Sequence, residues 1–483
     1  MNVLIQKFGT QNFLAQHKIK LLASAMLIVS GCTTIPKDAG FPDVSSAVEN
    51  RLGNKVHWYT GGEEDAKVRG SIDTMLSKPL TADSAVQVAL LNNYTLQAAY
   101  AELGISQADL VQAGLLANPI LEFTRLKPRS GNEDDALDVE LRFEFLDILL
   151  IPLKKKVAAQ NFESVKLKVT AKILDHAAMV RKGFYKLQAA QHMEDMFREV
   201  ADSTAAALET GRRLRKIGNI TALTMDQFQL SHDEARLALA EAEMATRGAR
   251  ESMNQLMGLW GKQTQWQIEG GLKPIPFMAI GTTDIEKKAI AKSLDLAIIK
   301  HDLQALADRS GIENIESIIN DLEAGFAWDR ESSGEWKDGP TIEVTLPIFD
   351  TGVARRARVK AELKQLQDSY YARAVMLRSS SRMLADRLRS SRATVEHYVD
   401  AILPLGRRIK DYELLNYNAM QIDVFKLLRA HEREIANRQR FVMALGEYWM
   451  ARAGLETLMA GRGVEVMAMS GPSVSTGGGE GGH

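Results

Sequence analysis

The residues able to do chemistry in this chain are scattered, with one exception. His176, His192, His232, His301, His397 and His431 fall in separate stretches, with no His-x-x-x-His pair and no cysteine beside them, so their spacing offers no metal-ligand set. No Ser-His-Asp arrangement or carboxylate pair stands at a spacing that catalysis would use, so the sequence points to no enzyme, no cofactor and no metal site. The 19 methionines, Met459, Met467 and Met469 among them, are packing material before they are soft-metal ligands. The last two precede a Gly-rich tail, Gly471 to His483. The exception is the single cysteine, Cys32. It follows Lys7, Lys18 and Lys20, a short apolar core from Leu21 to Val29, and the small residues Ser30 and Gly31, which is the order of an export signal.

That ending resembles the lipobox of bacterial lipoproteins, which implies removal of residues 1–31, a diacylglyceryl thioether on Cys32 and an acylated new amine. Acyl chains add about 0.8 kcal/mol per buried CH₂, so more than one at Cys32 holds the chain to outer-membrane lipid. Thr33 follows the cysteine where inner-membrane retention would call for aspartate. With Cys32 modified no disulfide remains available. Sixty basic residues against 61 acidic ones leave a net charge of −1, which excludes the basic field of a nucleic-acid binder. No apolar run reaches the roughly 18–20 residues of a membrane-spanning helix.

The chain repeats itself with a period near two hundred residues. Ala89–Leu96 matches Ala289–Leu296 at an offset of 200; Phe143-Glu144-Phe145-Leu146-Asp147 matches Leu346-Pro347-Ile348-Phe349-Asp350 at 203; Ile220-Thr221-Ala222-Leu223 matches Ile422-Asp423-Val424-Phe425 at 202. Each half reads as helix, β-hairpin, very long helix, turn and second long helix. The spacing of apolar residues predicts helices over Lys156 to about Arg215, Thr221 to about Leu259, Ala354 to about Ala401 and Ile422 to about Met459. The first would extend about 90 Å, which implies coiled-coil packing. Ala189, Ala190, Ala205, Ala206, Ala207, Ala238, Ala240 and Ala242 are the positions expected to let helices approach closely.

Between the helices the pattern changes to period two. In Leu137 to Phe145, apolar Val139, Leu141 and Phe143 alternate with charged residues, and over Ile120 to Leu126 Leu121 and Phe123 alternate with Glu122 and Thr124, across a polar turn at 127–135. A second hairpin is expected from about Ile319 to Trp328, turning through Asp329 to Gly339 and returning over Thr341 to Ile348, with Leu322, Phe326, Trp328, Ile342, Val344 and Leu346 on one face. Leu121, Phe123, Val139, Leu141, Phe143, Phe326, Trp328, Ile342 and Val344 are thus candidates for lipid contact, with Trp328 and Trp336 as interfacial aromatics. Four strands cannot close a barrel, for which about eight is the minimum, so oligomerisation follows.

On these features the chain resembles the outer-membrane efflux proteins of TolC type. The resemblance rests on Leu80–Ala85 through Tyr94, Gly114–Pro119, Thr345-Leu346-Pro347-Ile348-Phe349-Asp350-Thr351-Gly352, Tyr398 through Pro404, and Ala430–Gly454, and covers Leu80 to Met459. It implies a mainly α protein with transmembrane β: long antiparallel coiled-coil helices form a periplasmic α-barrel, and four strands per subunit join a shared twelve-stranded barrel in a homotrimer. The implied division is a signal peptide (1–31), a lipid-anchored periplasmic segment (32–79), a first repeat (80–270, hairpin 119–146), a second repeat (271–460, hairpin 319–349) and a tail (461–483). Partners would be a periplasmic adaptor and an inner-membrane pump that supplies the energy, since no phosphate-binding loop is present.

The same resemblance places adaptor-docking tips at Gly218, Asn219, Ile220 and Thr221 and at Met420, Gln421 and Ile422, where Met420 replaces the family's glycine. At the gate, where relatives carry aspartates, stand Lys426 and Arg429. A ring of these cations would disfavour cations in a narrow mouth, unless Asp423 or Asp226 turns inward or carboxylates such as Glu432 pair with them. Export of small molecules or metal ions is the function implied; a protein-secretion channel and a non-channel periplasmic coiled-coil scaffold are the alternatives.

Overall fold

The computed structural model describes residues 36, 38–127, 129, 134–277, 281, 283–319 and 321–463. Cys32 with the expected signal sequence, part of the first hairpin turn, and the tail from 464 with Met467 and Met469 lie outside the described residues.

Two short helices, α1 (Phe41–Leu52) and α2 (Glu63–Leu76), precede the first repeat. That repeat comprises α3 (Ala82–Asn92), α4 (Tyr94–Gln112), β1 (Ile120–Leu126), β2 (Ala136–Glu144), α5 (Phe145–Lys216) and α6 (Ala222–Met257). The second comprises α7 (Ile285–Lys292), α8 (Leu294–Glu316), β3 (Leu322–Arg330), β4 (Trp336–Val344), α9 (Val353–His397), a π turn at Tyr398–Ile402, α10 (Leu403–Asn418) and α11 (Val424–Met459). Matching caps start matching helices. Asn93 Oδ1 accepts from Thr95 N at the start of α4 and Ser293 Oγ from Leu296 N at the start of α8, 200 residues later.

Helix α5 runs 72 residues, about 108 Å of unbroken rise. It begins eleven residues before the expected Lys156 and passes through Pro152. Proline removes one helical hydrogen bond, but Leu146 and Leu150 are buried against Ile312 of α8, and that packing holds the first turns. The helix expected from Ala354 to about Ala401 ends as α9 at His397, but helical structure continues beyond it to Asn418. Pro404 cannot donate to the preceding turn, and the wider Tyr398–Ile402 π turn absorbs the defect so that α9 leads directly into α10.

The first core gathers Ile72, Leu90, Tyr100, Val169, Phe184, Met253 and Trp266; the second gathers Leu384, Leu388, Val442, Leu445, Tyr448 and Leu455. Along α6 the residues facing α5 are Phe228, Ala235, Ala242 and Ala249, one every seven positions, as an antiparallel coiled coil requires. Of the alanines expected at close approaches, Ala242 is buried, whereas Ala205, Ala206 and Ala240 are exposed, because the heptad register puts them on the outer side.

The two repeats fasten their ends differently. In the first, the amides of Asn92 and Asn93 donate to the carbonyls of Gly258 (2.8 Å) and Leu256 (2.9 Å), tying the α3–α4 corner to the end of α6. In the second, Leu294 N donates to Gly461 O (2.9 Å), and the buried Asp295 carboxylate accepts from Arg373 (2.6 Å) and Arg462. Arg462 also reaches Asp175 of α5 at 2.8 Å, so this network joins the repeats. Removing one member of a buried ion network typically costs about 3–5 kcal/mol, because the remaining charges lose their partner. Asp295→Ala is therefore expected to lower the melting temperature of the purified protein clearly, while Lys364→Ala, at an exposed pair with Asp368, leaves it unchanged; equal melting curves for the two variants would contradict the assignment.

Candidate functional site

The four strands form one antiparallel sheet in the order β1-β2-β3-β4. Its register aligns Phe123 with Val139 and Val139 with Trp328, Leu141 with Phe326, and Phe143 with Ala324 and through it Ile342. With Leu121 and Val344, these side chains make one continuous apolar face spanning both hairpins. Much of it is open: Phe123 is 64% exposed and Ile342 75%. Phe326 and Trp328 pack with ring centres 4.8 Å apart and planes tilted by 51°. At the turn end the face becomes polar, with Arg125 on Asp135 and Arg330 on Asp134 (2.7 Å), and Trp336 exposed nearby.

The second hairpin is tighter than expected. Strand β3 starts at Leu322, not Ile319; β4 runs Trp336–Val344, not Thr341 to Ile348; and the turn narrows to residues 331–335 with Gly334 at φ +84°. Pro340 lies inside β4, tolerated because β4 is an edge strand, where a missing N–H leaves no inner ladder bond unmade. Leu346 has left the sheet.

The opposite face carries charge. Arg142, on β2, lies 2.8 Å from Glu122 of β1, 3.6 Å from Glu323 of β3 and 3.6 Å from Glu343 of β4, so one guanidinium touches a carboxylate on every other strand. Asp138, Glu140, Glu144 and Asp329 share this face with Lys337, leaving it acidic. Alternation announced a charged face; the cross-strand role of Arg142 depends on pairing that no single strand reveals. No helix among the described residues is long and apolar enough to cross a membrane.

At the other end of the long helices stand two turns of one geometry. Asn219 N donates to Leu214 O and Gln421 N to Asn416 O, both at 2.9 Å, closing the same helix-terminating loop 202 residues apart. The residue in the left-handed conformation is Gly218 (φ +81°) in one and Met420 (φ +56°) in the other. Thr221 then caps α6 by accepting from Thr224 N (3.1 Å), and Asp423 caps α11 by accepting from Lys426 N (2.8 Å). Asn219 and Gln421 are exposed, Ile220 and Ile422 half-buried. Lys426 and Arg429 are both exposed; Lys426 lies 3.8 Å from Glu413 on the facing helix α10, not beside the Glu432 considered above. Asp423 is committed to its cap, and Asp226 is exposed on α6.

Exposed apolar side chains follow a heptad outside the two cores: Leu223, Leu230, Leu237 and Met244 on α6, each about two-thirds exposed. Seven-residue spacing could have disclosed this stripe from the sequence alone. The histidines stay apart: His176 is buried with Nε2 2.8 Å from Leu256 O, where burial holds its imidazole below the usual value, and His301 meets Gln160. Among the described residues no group of three acidic, histidine or cysteine side chains converges as a metal site.

The subunit is thus an open four-stranded sheet with an apolar face, continued by long helical hairpins. No protein-family model matches the chain. It is 21% identical over 389 residues to the cobalt-zinc-cadmium resistance protein CzcC of Cupriavidus metallidurans, covering 79% of this chain and 90% of that protein. Its fold matches the outer membrane channel CmeC of Campylobacter jejuni with a TM-score of 0.65 at 14% identity, over 79% of this chain and 86% of that one. The outer membrane protein VceC of Vibrio cholerae matches with a TM-score of 0.63 at 12% identity, over 82% and 97%. The chain thus shares the fold of these outer-membrane proteins and is similar in sequence to CzcC over most of its length.

A left-handed backbone costs a residue with a Cβ about 1–2 kcal/mol, and glycine nothing. Gly218→Met is accordingly expected to lower the melting temperature, and Met420→Gly to leave it equal or higher. A loss of stability in Met420→Gly as large as that in Gly218→Met would show that the Met420 side chain packs within its own chain.

Proposed function

We propose that the chain is the lipid-anchored outer-membrane channel of a multipartite efflux system, working as a homotrimer with a periplasmic adaptor and an inner-membrane pump. The observation that carries the proposal is the sheet: a continuous apolar face, an acidic opposite face, and β1 and β4 each with an open edge. A bilayer core accepts strands only when their edges are closed, and three copies of four strands give a barrel wide enough to hold water. The apolar face then meets lipid, and Arg142 with its carboxylates faces the lumen. The Leu223-Leu230-Leu237-Met244 stripe suits a helical seam with a neighbouring subunit in the tunnel.

Within this assembly Gly218–Thr221 and Met420–Ile422 are the adaptor-facing tips. Kinship with a cobalt-zinc-cadmium resistance protein favours divalent metal cations as cargo. The acidic lumen face suits such cargo; Arg429 and Lys426 near the second tip oppose it. Lys426 is partly offset by Glu413 at 3.8 Å, whereas Arg429 has no ion pair among the described residues, so Arg429 is the stronger barrier.

Purified protein in planar bilayers should form discrete, stable conductances; none at any protein concentration would refute the channel. Under a salt gradient, Arg429→Asp should move the reversal potential toward cations more than Lys426→Asp does. If neither variant moves it, both side chains lie off the ion path. Membrane attachment is proposed to run through Cys32, so cells fed radiolabelled palmitate should label the wild-type protein and not Cys32→Ala; label persisting in the variant would place the lipid elsewhere.

A further inference from the structure

The charged face of the sheet is laid out in opposed carboxylates. Its pairing sets Glu122 opposite Glu140, Glu144 opposite Glu323, Glu323 opposite Glu343 and Asp138 opposite Asp329, while no two basic residues stand opposite each other on any strand pair. Like charges directly opposite on neighbouring strands are destabilising. Arg142 lies between these rows and reaches Glu122, Glu323 and Glu343, a member of every opposed pair but the last. Room is left for it: the residue opposite on β3 is Gly325, where a Cβ would come within 3.1 Å of Arg142 Cγ and 2.7 Å of Thr341 Oγ1. Lys337, the other cation among the strand residues of this face, is drawn to Glu331 in the turn.

Glu122, Glu140, Glu144, Glu323 and Glu343 thus surround one guanidinium. In a channel lined by this face, ions pass a wall whose charge at these levels depends on that single group. Fixed wall charge gathers counter-ions and excludes co-ions over one Debye length, roughly 10 Å at 0.1 M salt and roughly 3 Å at 1 M. Arg142→Gln removes one positive charge per subunit and Arg142→Glu reverses it.

We propose that Arg142 is a specificity-determining residue of the pore: a tethered counter-ion that lets opposed carboxylates share one sheet and sets how strongly the lumen prefers cations to anions. This rests on the channel reading above and names the residue that tunes it. Arg429 stands at the other end of the long helices, many Debye lengths away, so the two charges act independently.

The test measures reversal potentials of the purified full chain in planar bilayers under a KCl gradient. At about 0.1 M mean salt Arg142→Gln should raise the cation-to-anion permeability ratio at least twofold and Arg142→Glu further, while Arg142→Lys stays within twofold of the wild type. Raising the mean concentration to about 1 M should collapse these differences, a response that a merely structural role would not produce. Should the Arg142 variants fail to assemble, Glu343→Gln, with its side chain 66% exposed on the same wall, decides the matter by moving the ratio toward anions. Conducting Arg142 variants with the wild-type ratio at low salt, or an unmoved ratio in Glu343→Gln, would overturn the role of Arg142 and leave the channel standing. A wild-type protein without conductance would refute the channel and this assignment with it.

Discussion

Unpaired backbone groups at the two edges of the sheet govern the rest of this structure. Each N–H or C=O left open in hydrocarbon costs several kcal/mol, yet β1 and β4 expose a full edge apiece on a sheet whose apolar face the proposed channel sets in lipid. Only another strand edge resolves the conflict, and in the proposed trimer a second copy of the chain would supply one. The helices inherit the consequence, because α5 starts at Phe145, the residue after β2 ends at Glu144. Helices joined so directly to the strands must continue whatever circle the strands close.

Duplication explains how one chain fills two adjoining sectors of such a circle, and the places where the repeats diverge are the informative ones. Neutral asparagines fasten the first α-helical corner, whereas the Asp295-Arg373-Arg462 network fastens the second and reaches across to Asp175. Helix α5 is uninterrupted for 72 residues, but its counterpart is broken at the π turn before Pro404. Beyond that turn α10 has no buried residue, and in the part of α11 nearest the tip Ala430 is the one buried hydrophobic before Val442 among the described residues. The distal half of the second hairpin thus leans on its own two helices more than on the rest of the chain.

Much of this plan was legible in the residues because the relevant signals are local and periodic. Alternation from Leu137 to Phe143 gave β2 its faces, and the offsets of 200 to 203 exposed the repeat before any contact was known. Prolines marked the limits of such inference. The expected starts at Lys156 and Thr341 and the expected end near Ala401 miss structure that continues past Pro152, Pro340 and Pro404, whose rings are accommodated by packing, edge position and a π turn. Partners distant in sequence were not readable at all: Arg142 meets three strands, and Lys426 faces Glu413 on a helix that the pattern around Pro404 concealed. The left-handed backbone of Met420 was likewise hidden, since a methionine gives no sign of the conformation that its glycine counterpart announces.

The central claim is that the open edges of the sheet close on other copies of the chain. Single cysteines introduced in turn along β1 and along β4, combined pairwise and oxidised in isolated outer membranes, test it most directly. Closure predicts that a set of pairs at matching depth yields covalent dimers and trimers on denaturing gels, with no species larger than three chains. Only monomers across the whole scan, or crosslinks to unrelated proteins alone, would contradict it.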